Sequence, residues 1–164
     1  MKVEGKAVIY GDNIDTDIII PGRYLVLQDP EKLAEHAMEG IDPSFPEKAR
    51  EGVILVAGKN FGCGSSREEA PVALKYANVK CVIAKFFARI FYRNAINIGL
   101  PILEADLSGK VEEGDVLSVD VVNGLIENKT KGTRIKAKPL PKLALDIINA
   151  GGLVTYTRKK LGLE

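Results

Sequence analysis

The 164-residue chain carries 23 lysine and arginine against 22 aspartate and glutamate residues, a formal net charge of +1, with 46% apolar residues, two cysteines and one histidine. That length supports one domain with a real core, while the balanced charge gives no global field to hold nucleic acid or an anionic membrane. The longest apolar run, Val53–Ala57, is far too short to cross a bilayer, and Cys63 and Cys81 alone cannot build a four-thiolate iron–sulfur or zinc site.

The opening Met1-Lys2-Val3-Glu4-Gly5-Lys6 lacks the apolar stretch of a signal peptide, so a cytoplasmic location is expected. Lys6–Tyr10 reads as a strand that ends at the turn-forming Gly11-Asp12-Asn13, and residues 11–26 as a long shaped loop interrupted by Pro21-Gly22. Pro30 opens a helix to about Met38, carrying His36 in a structural role, and Asp42-Pro43 and Phe45-Pro46 break the chain into short turns. Val53–Ala57 is a buried strand followed directly by the glycine-rich Gly58–Gly64. Ser65 with Glu68, or Ser66 with Glu69, fits a capping box ahead of a helix to about Tyr76, with Pro71 expected to distort its early turns.

Lys80–Ala84 is another buried strand, with Cys81 as a small core residue; Arg89–Asn97 is a helix and Leu100–Leu103 a short strand. The order strand, helix, strand, helix, strand implies parallel pairing through right-handed crossovers. Val116–Val122 and Leu125–Asn128 flank Asn123-Gly124, a hairpin signal, and Thr133–Ala137 adds a third strand. Pro141–Ala150 reads as a helix ended by Gly151-Gly152, and Arg158-Lys159-Lys160 suits a solvated helix end. The fold class is mixed α/β, with parallel units in the middle and antiparallel strands towards the C-terminal end.

The segment Gly58–Ala70 places glycines, two serines and Arg67 between a buried strand and a helix start. Backbone N–H groups at a helix start favour anions, and an arginine grips a carboxylate through two parallel hydrogen bonds. The same field lowers the cost of converting a serine hydroxyl to an alkoxide base. A capped helix after a tight turn accounts for these residues equally well, so both readings stand at this point. A dinucleotide fingerprint needs glycine where Arg67 stands, while a P-loop and a nucleophile elbow need motifs that are missing. Three aspartates in Gly11–Asp17 hint at a hard-metal loop, but the calcium-loop glycine and distal glutamate are out of place, and no metal site is expected.

Taken in order, Gly11-Asp-Asn-Ile-Asp-Thr-Asp17, Pro21-Gly-Arg-Tyr-Leu25, Gly62-Cys-Gly-Ser-Ser-Arg-Glu68 and Phe87-Ala-Arg-Ile-Phe-Tyr-Arg-Asn-Ala95 resemble the small-subunit family of isopropylmalate isomerases, relatives of the swivelling domain of aconitase. Nearly the whole chain takes part in the resemblance. It implies a single aconitase-type swivelling β/β/α domain over residues 1–164 with mixed parallel and antiparallel strands. It also implies a two-subunit hydro-lyase of leucine biosynthesis that moves a hydroxyl between adjacent carbons by dehydration and rehydration. No cofactor would be bound by this chain; a [4Fe-4S] cluster would sit in a separate large subunit, with the active site between the two.

The resemblance further implies roles for single residues. Ser65 would be the base, Arg67 would bind a substrate carboxylate and stabilise the alkoxide, and Ser66 would support them by hydrogen bonds. Arg23 would hold another carboxylate and Asp17 would help organise the site. Tyr24, Leu25 and Val26 form the specificity loop. In the family an arginine after Tyr-Leu goes with tricarboxylates, as in homoaconitase. Val26 therefore favours the branched alkyl group of isopropylmalate, since an apolar pocket leaves a third carboxylate unpaired. The alternatives are a homoaconitase or citramalate-type isomerase subunit and a non-catalytic anion-binding module.

Overall fold

The computed structural model describes residues 1–163, whose order is β1 (Lys2–Ile9), α1 (Thr16–Ile19), a 3-10 turn (Gly22–Tyr24), α2 (Pro30–Ala34), α3 (Phe45–Lys48) and β2 (Val53–Ala57). There follow α4 (Glu69–Tyr76), β3 (Val79–Ala84), α5 (Arg89–Asn97), β4 (Ile102–Glu104), β5 (Val116–Asp120), β6 (Leu125–Asn128), β7 (Thr133–Lys136), α6 (Lys142–Ala150) and α7 (Leu153–Lys160). All strands lie in one sheet of order β4-β3-β2-β1-β5-β6-β7. β1 to β4 pair in parallel, whereas β5 runs antiparallel to β1, and β5, β6 and β7 form an antiparallel meander.

The apolar runs predict this arrangement. Every residue of β2 and all but Lys80 of β3 are buried, as expected of central parallel strands with no solvent face. β1 is the seam: Lys6 stands opposite Val53 on the parallel side and Val116 on the antiparallel side. Gly5 belongs there because a Cβ would come 2.9 Å from the Gly52 carbonyl oxygen. Helices α4 and α5 pack on one another and against β3 and β4 respectively, and α2 packs on α4.

Several boundaries differ from expectation. The helix opened by Pro30 stops at Ala34 instead of about Met38. Met38 takes a left-handed φ of 60°, and its N–H donates to Ile19 O at 2.7 Å, while Gly40 N–H donates to Ile18 O at 3.2 Å. Those bonds close the end of α1, a tertiary gain that outweighs another helical turn. Phe45-Pro46 begins α3 rather than breaking the chain, since proline in a first turn loses no hydrogen bond and Phe45 is fully buried. Pro101 stays outside β4 because it has no N–H, and serves only through its carbonyl, which accepts from Val82 N–H at 3.0 Å. The Asn123-Gly124 hairpin closes on Asp120 opposite Leu125, giving a wider loop than the two residues expected. The Asp120 carboxylate takes both the Asn123 N–H at 3.1 Å and its amide at 2.8 Å.

Asp42 fastens the α3 turn to β1. Its carboxylate accepts hydrogen bonds from Tyr10 OH and Lys48 Nζ, each at 2.8 Å, and from Ser44 Oγ at 2.7 Å. Burial pushes its pKa up, but the donors from Lys48, Ser44 and Tyr10 outweigh that and bring it down to about 2. A depressed carboxylate stabilises the fold above its unfolded pKa and loses that contribution as pH falls through the folded value. Asp42→Asn should thus cost about 1–2 kcal/mol at pH 7, and the gap to the parent should shrink between pH 4 and pH 2. Urea unfolding at both ends of that window reads the effect; a pH-independent gap would contradict it.

Candidate active site

Past β2, the glycine-rich segment folds onto the loop that follows β1. Gly58 N–H donates to Gly11 O at 3.0 Å, Lys59 N–H to Asp12 Oδ1 at 2.7 Å, Gly62 N–H to Ile14 O at 2.7 Å, and Thr16 N–H to Cys63 O at 2.8 Å. The two polar motifs that stand far apart in the sequence thus run side by side. Two glycine contacts make this possible. A Cβ on Gly58 would lie 1.8 Å from Asp12 Oδ1, and one on Gly62, at φ +83°, would lie 2.3 Å from Phe91.

Thr16, almost wholly buried, donates its hydroxyl to Ser65 O at 2.8 Å and so pins the backbone of Ser65. The capping boxes expected at Ser65 and Ser66 do not form: α4 begins at Glu69 behind Glu68, with no side-chain cap. The tether from Thr16 and the positive φ of Gly64 hold residues 65–67 out of the helix. Both serines are exposed, and neither hydroxyl has a hydrogen-bond partner among the described residues. Helix-end N–H groups therefore lie beyond Ser65, and the cation between Ser65 and the helix is Arg67. Pro71 is accommodated as the third helical residue, where the missing N–H has no intrahelical partner to lose, so the distortion expected there is absent.

Arg67 is mostly buried, with 17% of its side chain exposed, whereas 69% of Asp17 is exposed. Arg67 Nη1 donates to Asp17 Oδ1 and to Ile20 O, each at 2.9 Å. Asp17 Oδ1 also accepts Gly22 N–H at 3.1 Å, and these two donors, Arg67 first, hold the carboxyl below the usual carboxylate range. A Cβ on Gly22 would stand 3.5 Å from Arg67 Nη2, in ordinary contact with that edge of the guanidinium. Asp17, Arg67 and, through Thr16, Ser65 are thereby gathered at one place.

Arg23 and Tyr24 follow in the 3-10 turn, but their polar atoms meet Glu39: Arg23 Nη2 at 2.9 Å and Tyr24 OH at 2.6 Å from Oε1. Leu25 is half-buried against the core, and Val26 is 82% exposed on the loop beyond. Sequence reasoning missed Glu39 altogether and gave His36 a structural part only; His36 Nδ1 lies 2.6 Å from Glu39 Oε2. Their three-residue spacing was the available signal, in a stretch read as ordinary helix.

Cys81 is fully buried in β3, which raises its thiol pKa, and Cys63 is half-buried in the 58–64 segment. No group of three His, Cys, Asp or Glu side chains among the described residues is placed to hold a metal ion. An iron–sulfur cluster does not fit these side chains. No helix among the described residues is long and apolar enough to cross a membrane.

Residues 12–106 match the aconitase C-terminal domain. The chain is 60% identical over 160 residues to the 3-isopropylmalate dehydratase small subunit of Caldanaerobacter subterraneus, covering 97% of this chain and 99% of that one. It is 57% identical over 162 residues to the small subunit of the same name from Caldicellulosiruptor bescii, covering 98% of each. A crystal structure of 3-isopropylmalate dehydratase from Methanocaldococcus jannaschii superposes with a TM-score of 0.95 at 48% identity, over 99% of this chain and 97% of that one.

Proposed function

The chain belongs to the 3-isopropylmalate dehydratase small subunits of the aconitase family, and on that premise we propose that it supplies the proton-transfer half of a site completed by a large subunit. The reaction of the family is a hydro-lyase isomerisation of isopropylmalate in leucine biosynthesis. We read residues 1–164 as one swivelling domain acting in the cytoplasm. The observation that carries the site assignment is the Ser65 hydroxyl, exposed and without a partner among the described residues, anchored by its backbone beside the Asp17–Arg67 pair.

In this reading Ser65 removes the carbon-bound proton of the substrate and later returns one. A serine can do so only if its alkoxide is stabilised, and Arg67 is the cation at hand. Asp17 fixes Arg67 Nη1, leaving Nη2 for a substrate carboxylate; Ser66 adds a hydrogen bond, and Arg23 takes the second carboxylate. We assign the four-iron cluster to the large subunit, which would supply Lewis-acid chemistry.

Substrate choice rests on Tyr24, Leu25 and Val26. With Val26 almost wholly exposed, the alkyl pocket requires the partner's surface to close it. In the reconstituted enzyme kcat/KM should be highest for isopropylmalate, ahead of citramalate-type and homocitrate-type substrates; a preference for a tricarboxylate would move the assignment to homoaconitase. Val26→Arg should shift the ratio of specificity constants towards a tricarboxylate by at least about tenfold. An unchanged ratio would remove Val26 from the specificity argument.

A further inference from the structure

Arg23, Tyr24, His36 and Glu39 form a closed cluster. Glu39 Oε1 accepts from Arg23 Nη2 at 2.9 Å and from Tyr24 OH at 2.6 Å. Because a carboxylate can only accept, the 2.6 Å contact between Glu39 Oε2 and His36 places a proton on Nδ1. The Tyr24 and His36 rings are stacked, 3.7 Å between centroids and 8° between planes, and the Arg23 guanidinium lies over the Tyr24 ring at 4.7 Å. One carboxylate thus serves three donors, and the Tyr24 ring lies against one face of the guanidinium carbon.

Stability is a poor reason for such order. The Arg23 side chain is 66% exposed, ion pairs of that kind contribute little, and ordering a long side chain costs rotamer entropy. The arrangement gives something else. Among the described residues the one hydrogen bond of good geometry from the guanidinium runs from Nη2 to Glu39, with Tyr24 beside it. Its remaining donors are open to a second carboxylate.

We propose that Glu39, braced by Tyr24 and His36, is a positioning residue that holds Arg23 in the orientation in which the open edge of its guanidinium receives a substrate carboxylate. The proposal rests on Arg23 being a substrate-binding group. A held arginine binds without first being ordered, so the benefit falls on substrate affinity. The guanidinium then lies between two carboxylates, and the Tyr24 and His36 donors spread the charge of the resident one.

The test is a mutant cycle in the reconstituted enzyme with isopropylmalate. Glu39→Ala should raise KM about tenfold and Glu39→Gln, which keeps an acceptor for Tyr24, about threefold, each with kcat within about threefold of the parent. In an Arg23→Ala background, Glu39→Ala should change KM by less than about twofold, because the residue it positions is gone. KM effects that add across the cycle, a loss in kcat rather than KM, or an unchanged KM in Glu39→Ala would each overturn the proposal. Should Glu39→Ala fail to fold, the Glu39→Gln cycle carries the same test. An Arg23→Ala enzyme with normal KM would remove the carboxylate role of Arg23 itself, and this proposal with it. A parent mixture without activity would instead strike at the assignment of function.

Discussion

Ser65→Ala, reconstituted with the large subunit, is expected to lose about 10³–10⁴-fold in kcat while KM and melting temperature stay close to the parent values. The separation of effects follows from the site. The Ser65 hydroxyl is exposed and bonds to no protein group among the described residues, and the contact that anchors the segment runs to its backbone carbonyl, which alanine keeps. Nothing that holds the fold is removed; only the atom that would carry the proton goes. Ser66→Ala provides the comparison, with an expected loss of about tenfold, the size of one supporting hydrogen bond. Full activity in Ser65→Ala would end its role as base, and a collapse in stability would show that the hydroxyl had a structural task.

The second large effect is on folding. Gly62→Ala should destabilise the subunit by at least about 3 kcal/mol, through the left-handed backbone and through overpacking against Phe91. Gly62 has φ +83°, and its added Cβ would lie 2.3 Å from both Cβ and Cγ of Phe91, itself buried between Phe61 and Phe87. The ring has nowhere to go. Gly109→Ala separates the two causes, since its φ of +70° is similar but nothing lies within 4 Å of the added Cβ. There the cost should be about 1–2 kcal/mol, from the backbone alone. On thermal unfolding these values correspond to melting points lowered by about 6–12 °C and about 2–8 °C respectively. Equal losses would mean that the contact with Phe91 is relieved cheaply.

The elements that read correctly from sequence are those where one physical cause dominates. β2 throughout and β3 in all but Lys80 are apolar because both faces are covered, and α6 ends where Gly151 takes a φ of +92°. The errors fall where tertiary contacts overrule a local signal. Ser65 and Ser66 have the spacing of helix caps, yet the hydroxyl of Thr16 holds the Ser65 backbone away from α4. Met38 leaves the helical path to close α1. Candidate site residues were legible in proportion to the motif they belong to: Ser65 and Arg67 stand in Gly-Ser-Ser-Arg and Asp17 in the aspartate-rich loop. Glu39 belongs to neither, and only the folded chain brings it to Arg23 and Tyr24.

The proposed division of labour between subunits also has a local cause. Cys81 is sealed inside β3, leaving one half-buried thiol, too few thiolates for a four-thiolate site among the described residues. What it does present is a proton-transfer candidate and two arginines near its surface. In the proposed function such a half-site is useful only against a complementary face.

Anaerobic isopropylmalate isomerisation by this chain alone, by a cluster-loaded large subunit alone and by their mixture is the most direct test of a shared site. Activity should appear only in the mixture and saturate as the large subunit is titrated with this chain. Isomerisation by either subunit alone, or none in a mixture whose large subunit is active with another small subunit, would contradict it.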